Sequence, residues 1–157
     1  MSAARWVTLA VVSAATAMLL LDVTIVYVAL PAIQQDLGAS FASMQWVIDA
    51  YTVALAATLL GAGALADRLG RRVVFAVGIF VFTVCSALCG VAGSALVLDL
   101  ARAAQGIGAA AMFAASLAIL AHEFQGAERG FALGIWGAIT GAALAIGRCW
   151  AAWSSTG

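Results

Sequence analysis

Lysine and asparagine are absent from the 157 residues, proline occurs once, and only 9% of the residues are charged. Ordinary globular domains carry about 25% charged residues and about 45–50% apolar ones. Here 66% are hydrophobic and the mean hydropathy is +1.12. A soluble domain of this size cannot hide that much apolar surface, because a large share of any folded surface faces water. A single proline excludes a Pro-rich linker. Seven basic against seven acidic residues exclude a polybasic nucleic-acid binder, so no nucleic-acid partner is expected. Three cysteines make no disulfide framework, and no metal-ligand spacing is visible. What remains is an integral membrane protein whose first partner is the lipid bilayer.

About 20 mainly apolar residues carry a helix across ~30 Å of hydrocarbon. Five stretches meet or approach that length: about 6–30, 44–66, 73–90, 95–121 and 130–147. The fifth is the shortest, with 18 uncharged residues between Arg129 and Arg148. The first is too long for a signal peptide, and Leu30-Pro31 ends it without a small-residue cleavage site. Arg5, Arg68, Arg71, Arg72 and Arg129 fall at the start or in alternate connections, while 31–43 and 90–95 have no basic residue. Basic residues stay on the cytoplasmic side, so the N-terminus is expected in the cytoplasm.

Charges inside such spans are expensive and call for an explanation. Asp49 and Asp99 fall near the outer ends of the second and fourth spans, where an interfacial role suffices. Asp22 lies eight residues before Leu30, ~12 Å along the axis, and Arg102 seven after Ala95, ~10 Å. Their depths match. One reading is a structural ion pair between helices 1 and 4. The other is that Asp22 takes up and releases a proton while Arg102 tunes it, with Asp99, one turn from Arg102, able to compete.

Several further residues bear on these readings. Cys85 and Cys89 read as small packing residues in helix 3, and His122 as an interfacial helix-terminal residue. Gly106 and Gly108, and Gly134, Gly137, Gly141 and Gly147, read as points of close helix approach. A nucleotide fingerprint at Gly106 fails, since no strand precedes it. No nucleophile–base constellation appears, so an enzyme is not expected.

Between the second and third spans stands Gly63-Ala-Leu-Ala-Asp67-Arg68-Leu-Gly70-Arg71-Arg72. Gly63 would permit close packing, Gly70 a positive-φ turn, and Asp67 can pair with nearby arginines. This order of residues resembles the helix 2–3 signature of the major facilitator superfamily. Leu21-Asp22-Val-Thr24 through Leu30-Pro31 resembles the helix 1 motif of its fourteen-helix drug:proton antiporter branch, with Tyr27 where Asn is common. Gln45-Trp46-Val-Ile-Asp49-Ala-Tyr51, Arg102-Ala-Ala-Gln105-Gly106-Ile-Gly108 and Gly134-Ile-Trp136-Gly137 resemble the motifs of helices 2, 4 and 5.

The resemblance implies an all-α membrane fold, namely helices 1–5 of a transporter half with an incomplete inverted 3+3 repeat. It also implies multi-pass insertion in the cell membrane and proton-coupled efflux of amphipathic, drug-like or antibiotic small molecules. The proton gradient would be the coupling agent, with no other cofactor. Asp22, Arg102 and Gln105 would serve proton coupling and the substrate cavity. Gly63, Asp67, Arg68, Gly70, Arg71 and Arg72 would form a cytoplasmic latch. Gly134, Gly137 and Gly147 would belong to an antiporter motif in helix 5. The different-class alternative is a small stand-alone membrane protein that oligomerises or regulates a partner transporter.

The chain departs from this pattern at residues 148–157, where Arg148 and Ala151-Ala152 replace the motif's Pro and Gly pair. With GC-rich codons, one C restored after the Gly147 codon reads Gly-Pro-Val-Leu-Gly-Gly-Leu-Val-Val-Asp-Gly. The expectation is therefore a one-base deletion, a frameshifted tail, and a fragment not competent for transport alone.

Overall fold

The computed structural model describes residues 3–38 and 40–154, apart from the side chains of residues 37, 147, 148 and 150–154. Five helices make up the described chain: α1 (Ala3–Leu37), α2 (Phe41–Leu69), α3 (Arg71–Gly90), α4 (Ala95–Glu123) and α5 (Ala127–Ser154). All five are long and apolar enough to cross a membrane. Helices are the expected element here, because each satisfies its backbone polar groups internally in a solvent that supplies no hydrogen bonds.

The helices outrun the expected spans at several ends. The largest difference is α1, which continues through Pro31 to Leu37 instead of stopping at Leu30. Proline removes one backbone donor from the ladder, a loss that a helix otherwise satisfied on both sides absorbs. Likewise α5 runs from Ala127 to Ser154, past the expected stop at Gly147, although its membrane-length apolar part is Ala127–Ile146. Short connections set the other ends. Ser40 caps α2 by accepting from the Ser43 N–H at 3.2 Å, and Ser94 caps α4 by accepting from the Val97 N–H at 3.4 Å. Gly70, at φ +99°, reverses the chain between α2 and α3 in the left-handed region that favours glycine. Of the expected frameshifted tail, 148–157, the backbone is helical to Ser154, and residues 155–157 lie outside the described residues.

Packing divides the bundle unevenly. Helix α4 lies against α2 and α3, α1 lies mainly against α5, and α1 also meets α4. The principal apolar core joins Leu9, Val12 and Leu19 of α1 to Met112, Ile119 and Leu120 of α4, with Phe82 of α3 and Ala132 of α5. Close approach is made at Gly78, Gly106 and Gly108. A Cβ on Gly106 would overlap the Tyr51 carbonyl oxygen, and one on Gly108 would come within 2.8 Å of the Phe82 backbone nitrogen. By contrast, a Cβ on Gly63, Gly134, Gly137 or Gly141 would meet nothing within 4 Å. Among the described residues no helix lies over those four glycines, so the close packing expected there is not made.

Candidate functional site

Three helices bring one buried polar cluster together at membrane depth. Asp22 comes from α1, Arg102 and Gln105 come from α4, and Tyr51 comes from α2. Residues 102 and 105 are three apart on a helix, so both side chains project over one face. Arg102 is 2% exposed and the Asp22 side chain 16%. Arg102 Nη1 donates to Asp22 Oδ2 at 2.6 Å and to Gln105 Oε1 at 2.9 Å, while Gln105 Nε2 donates to Asp22 Oδ1 at 2.9 Å. The three side chains close a ring in which both carboxylate oxygens and both ends of the amide are used. Only this amide orientation satisfies all three bonds.

Further contacts hold the guanidinium. Its Nε donates to the Val47 carbonyl at 3.4 Å, and its Cζ stands 4.3 Å from the centre of the Tyr51 ring. An arginine over an aromatic face gains about 0.5–2 kcal/mol as desolvation increases. Cys89 of α3 donates its thiol to Gln105 Oε1 at 3.7 Å. Cys89, expected to do no more than pack, thus joins the polar cluster. Asp99 does not compete for Arg102: the only ion pair of Arg102 among the described residues is with Asp22. Tyr51, Val47 and Cys89 were not singled out from the sequence as site residues. A signal did exist for Tyr51, which stands seven residues after Met44 on the buried face of α2.

A cavity of about 320 Å³ opens beside this ring, lined by Met18, Leu21, Asp22 and Ile25 of α1 and by Phe82, Thr83 and Ser86 of α3. It is mostly apolar, with the Asp22 carboxylate on its wall. A second polar cluster lies lower on α1, where Trp136 Nε1 of α5 donates to Thr16 Oγ1 at 3.1 Å. Thr16 Oγ1 in turn stands 3.4 Å from Ser116 Oγ of α4. This clasp ties α5 to α1 and α4.

The arginine-rich ends of the helices gather at one end of the bundle. Arg71 Nη2 meets Asp67 Oδ1 at 3.4 Å within one turn, and its Nη1 donates to the Ala118 carbonyl of α4 at 3.3 Å. Arg72 Nη2 pairs with Glu123 Oε1 at 2.6 Å, and Arg5 Nη1 with Glu128 Oε2 at 3.0 Å. A cavity of about 450 Å³ lies among Asp67, Arg71, Arg72, His122 and Glu123. Glu123 ties α4 to α3, and His122, expected to be only a helix-terminal residue, lines this cavity. Arg68 is exposed and makes no ion pair among the described residues. Of the helix 5 residues, Gly134 and Gly137 sit on open faces, whereas the surroundings of Gly147 lie outside the described residues.

The model of the Major Facilitator Superfamily matches residues 12–156. The chain belongs to this superfamily. Within it, the chain is 48% identical over 144 residues to a puromycin resistance protein of Streptomyces alboniger, covering 91% of this chain and 29% of that relative. It is 43% identical over 142 residues to a tetracenomycin C resistance and export protein of Streptomyces glaucescens, covering 90% and 26%. A multidrug resistance protein of Mycobacterium tuberculosis is 44% identical over 123 residues, covering 78% and 23%. The chain therefore spans less than a third of the length of these superfamily relatives. The buried ring and, apart from Arg5, the arginine-rich end fall within the matched residues.

Proposed function

We propose that this chain supplies the N-terminal part of a proton-coupled exporter of drug-like or antibiotic small molecules in the cell membrane. The observation that carries the reading is the closed ring of Asp22, Arg102 and Gln105, buried where three helices meet. An ionised carboxylate at that depth needs its partner, and breaking such a pair is strongly unfavourable. Adding a proton to Asp22 weakens its pull on Arg102 and frees the ring to rearrange, so proton uptake is linked to helix packing. Asp22 is then the proton carrier, while Arg102 and Gln105 hold its carboxylate in place. The relatives are named for resistance to and export of antibiotics, which supports drug-like substrates.

On this reading the arginine-rich end faces the cytoplasm, as the distribution of basic residues favours. Asp67, Arg71, Arg72 and Glu123 there act as a latch that holds α2, α3 and α4 together in one state. The open glycine face of α5 is the surface on which the remainder of a complete transporter packs. On this reading efflux involves the rest of the transporter's length as well, since the chain spans 29% or less of these relatives.

The test is a chimera in which residues 12–146 replace the matching segment of the puromycin resistance relative. Cells carrying it should extrude drug in a proton-dependent manner. Asp22→Asn in that chimera should lower resistance at least tenfold with membrane insertion unchanged. Full resistance in the variant would return Asp22 to a structural role.

A further inference from the structure

Asp99 lies on α4 three residues before Arg102, one helical turn away. Its Oδ1 is buried and has no hydrogen-bond partner. A buried carboxylate oxygen without a donor is unfavourable anywhere, and more so in a membrane span. Arg102, on the next turn, spends Nε on the Val47 carbonyl and Nη1 on Asp22 and Gln105. No hydrogen bond from its Nη2 is seen among the described residues. The guanidinium is thus engaged by the carboxylate of Asp22, while an unengaged carboxylate, Asp99, lies one turn away on its own helix.

The geometry points to Asp99 as a second seat for the Arg102 guanidinium, taken when Asp22 is neutralised. The inference rests on the reading of Asp22 as a proton carrier and adds what balances Arg102 while the proton is on board. Without such a seat, each protonation of Asp22 would leave a buried guanidinium with no counter-charge, the situation that makes breaking a buried pair so unfavourable. Other groups facing Arg102 cannot take this part. From α1 comes Asp22 itself, from α2 the Tyr51 phenol and the Val47 carbonyl, and from α3 the Cys89 thiol by way of Gln105. Asp49 of α2 lies two residues beyond Val47, turned by about 200° around that helix. Asp99 is the carboxylate within one turn of Arg102 on its own helix, where residues three apart are neighbours on the helix surface.

The experiment is a thermodynamic cycle on the 157-residue chain in mild detergent, unfolded by titration with dodecyl sulfate. Asp22→Asn mimics the protonated carrier. With Asp22→Asn and Asp99→Asn combined, the unfolding equilibrium constant should exceed the product of the two single-variant effects by more than threefold, since distant independent sites combine almost additively. A product obeyed within threefold overturns the proposal, as does an equal excess when Asp49→Asn replaces Asp99→Asn. If the double variant does not fold, adding Arg102→Gln should restore folding by removing the stranded charge. A triple variant that stays unfolded overturns the proposal as well. Additivity would leave the carrier reading of Asp22 standing, whereas full resistance in the Asp22→Asn chimera would remove that reading and leave the coupling between Asp99 and Arg102 intact.

Discussion

Helix α5 is richer in glycine than α4, yet the two glycines of α4 make the close contacts. Gly106 and Gly108 admit α2 and α3 to backbone distance, while Gly134, Gly137 and Gly141 face open space. In their most apolar stretches 56% of the α4 residues are buried, against 11% in α5. The difference teaches that small residues grant permission to approach and do not themselves supply the partner. Helix α4 is the hub of this chain and holds the only fully buried cation among the described residues. Helix α5 is anchored along one side, through Trp136 and Ala132, and left bare on the other.

The sharpest way to test that contrast is to remove the charge at the hub. Arg102→Met leaves Asp22 without its cation and should lower stability by about 3–5 kcal/mol, as for other broken buried pairs. Arg129→Met at the exposed start of α5 should change it by less than about 0.5 kcal/mol. Both are read from the midpoint of dodecyl sulfate unfolding. Equal effects would deny α4 its special place.

A smaller effect separates the two sets of glycines. Gly106→Ala places a methyl group against the Tyr51 carbonyl and should destabilise by about 1–3 kcal/mol, the usual range for overpacking. Gly137→Ala meets nothing and should stabilise by up to about 1 kcal/mol, because alanine is the better helix former. A clear loss of stability in Gly137→Ala, growing with protein concentration, would mean that a second copy covers the glycine face of α5.

Much of this architecture was legible in the chain. Five apolar runs marked five helices, because hydrocarbon demands an unbroken apolar stretch of fixed length. Counting residues from Leu30 and from Ala95 put Asp22 and Arg102 at one depth, and axial rise is the same in every helix. Rotation about each axis was not legible. It decides that Gln105 closes the ring while Asp99 is left out, though both lie three residues from Arg102. The run through Pro31 was also hidden, since a proline inside a long helix removes one hydrogen bond and can bend the helix without ending it. Glu123 likewise gave no sign of its partner Arg72, which is 51 residues away in the chain.

By itself, the sequence determined the solvent, the number of spans, the matched level of Asp22 and Arg102 and the superfamily, since these depend on composition and on order along one axis. Only the tertiary structure decided which charges meet, which glycines are covered and which carboxylate is left without a donor. Those depend on how helices turn and lean against one another, and that is set by contacts between residues far apart in the chain.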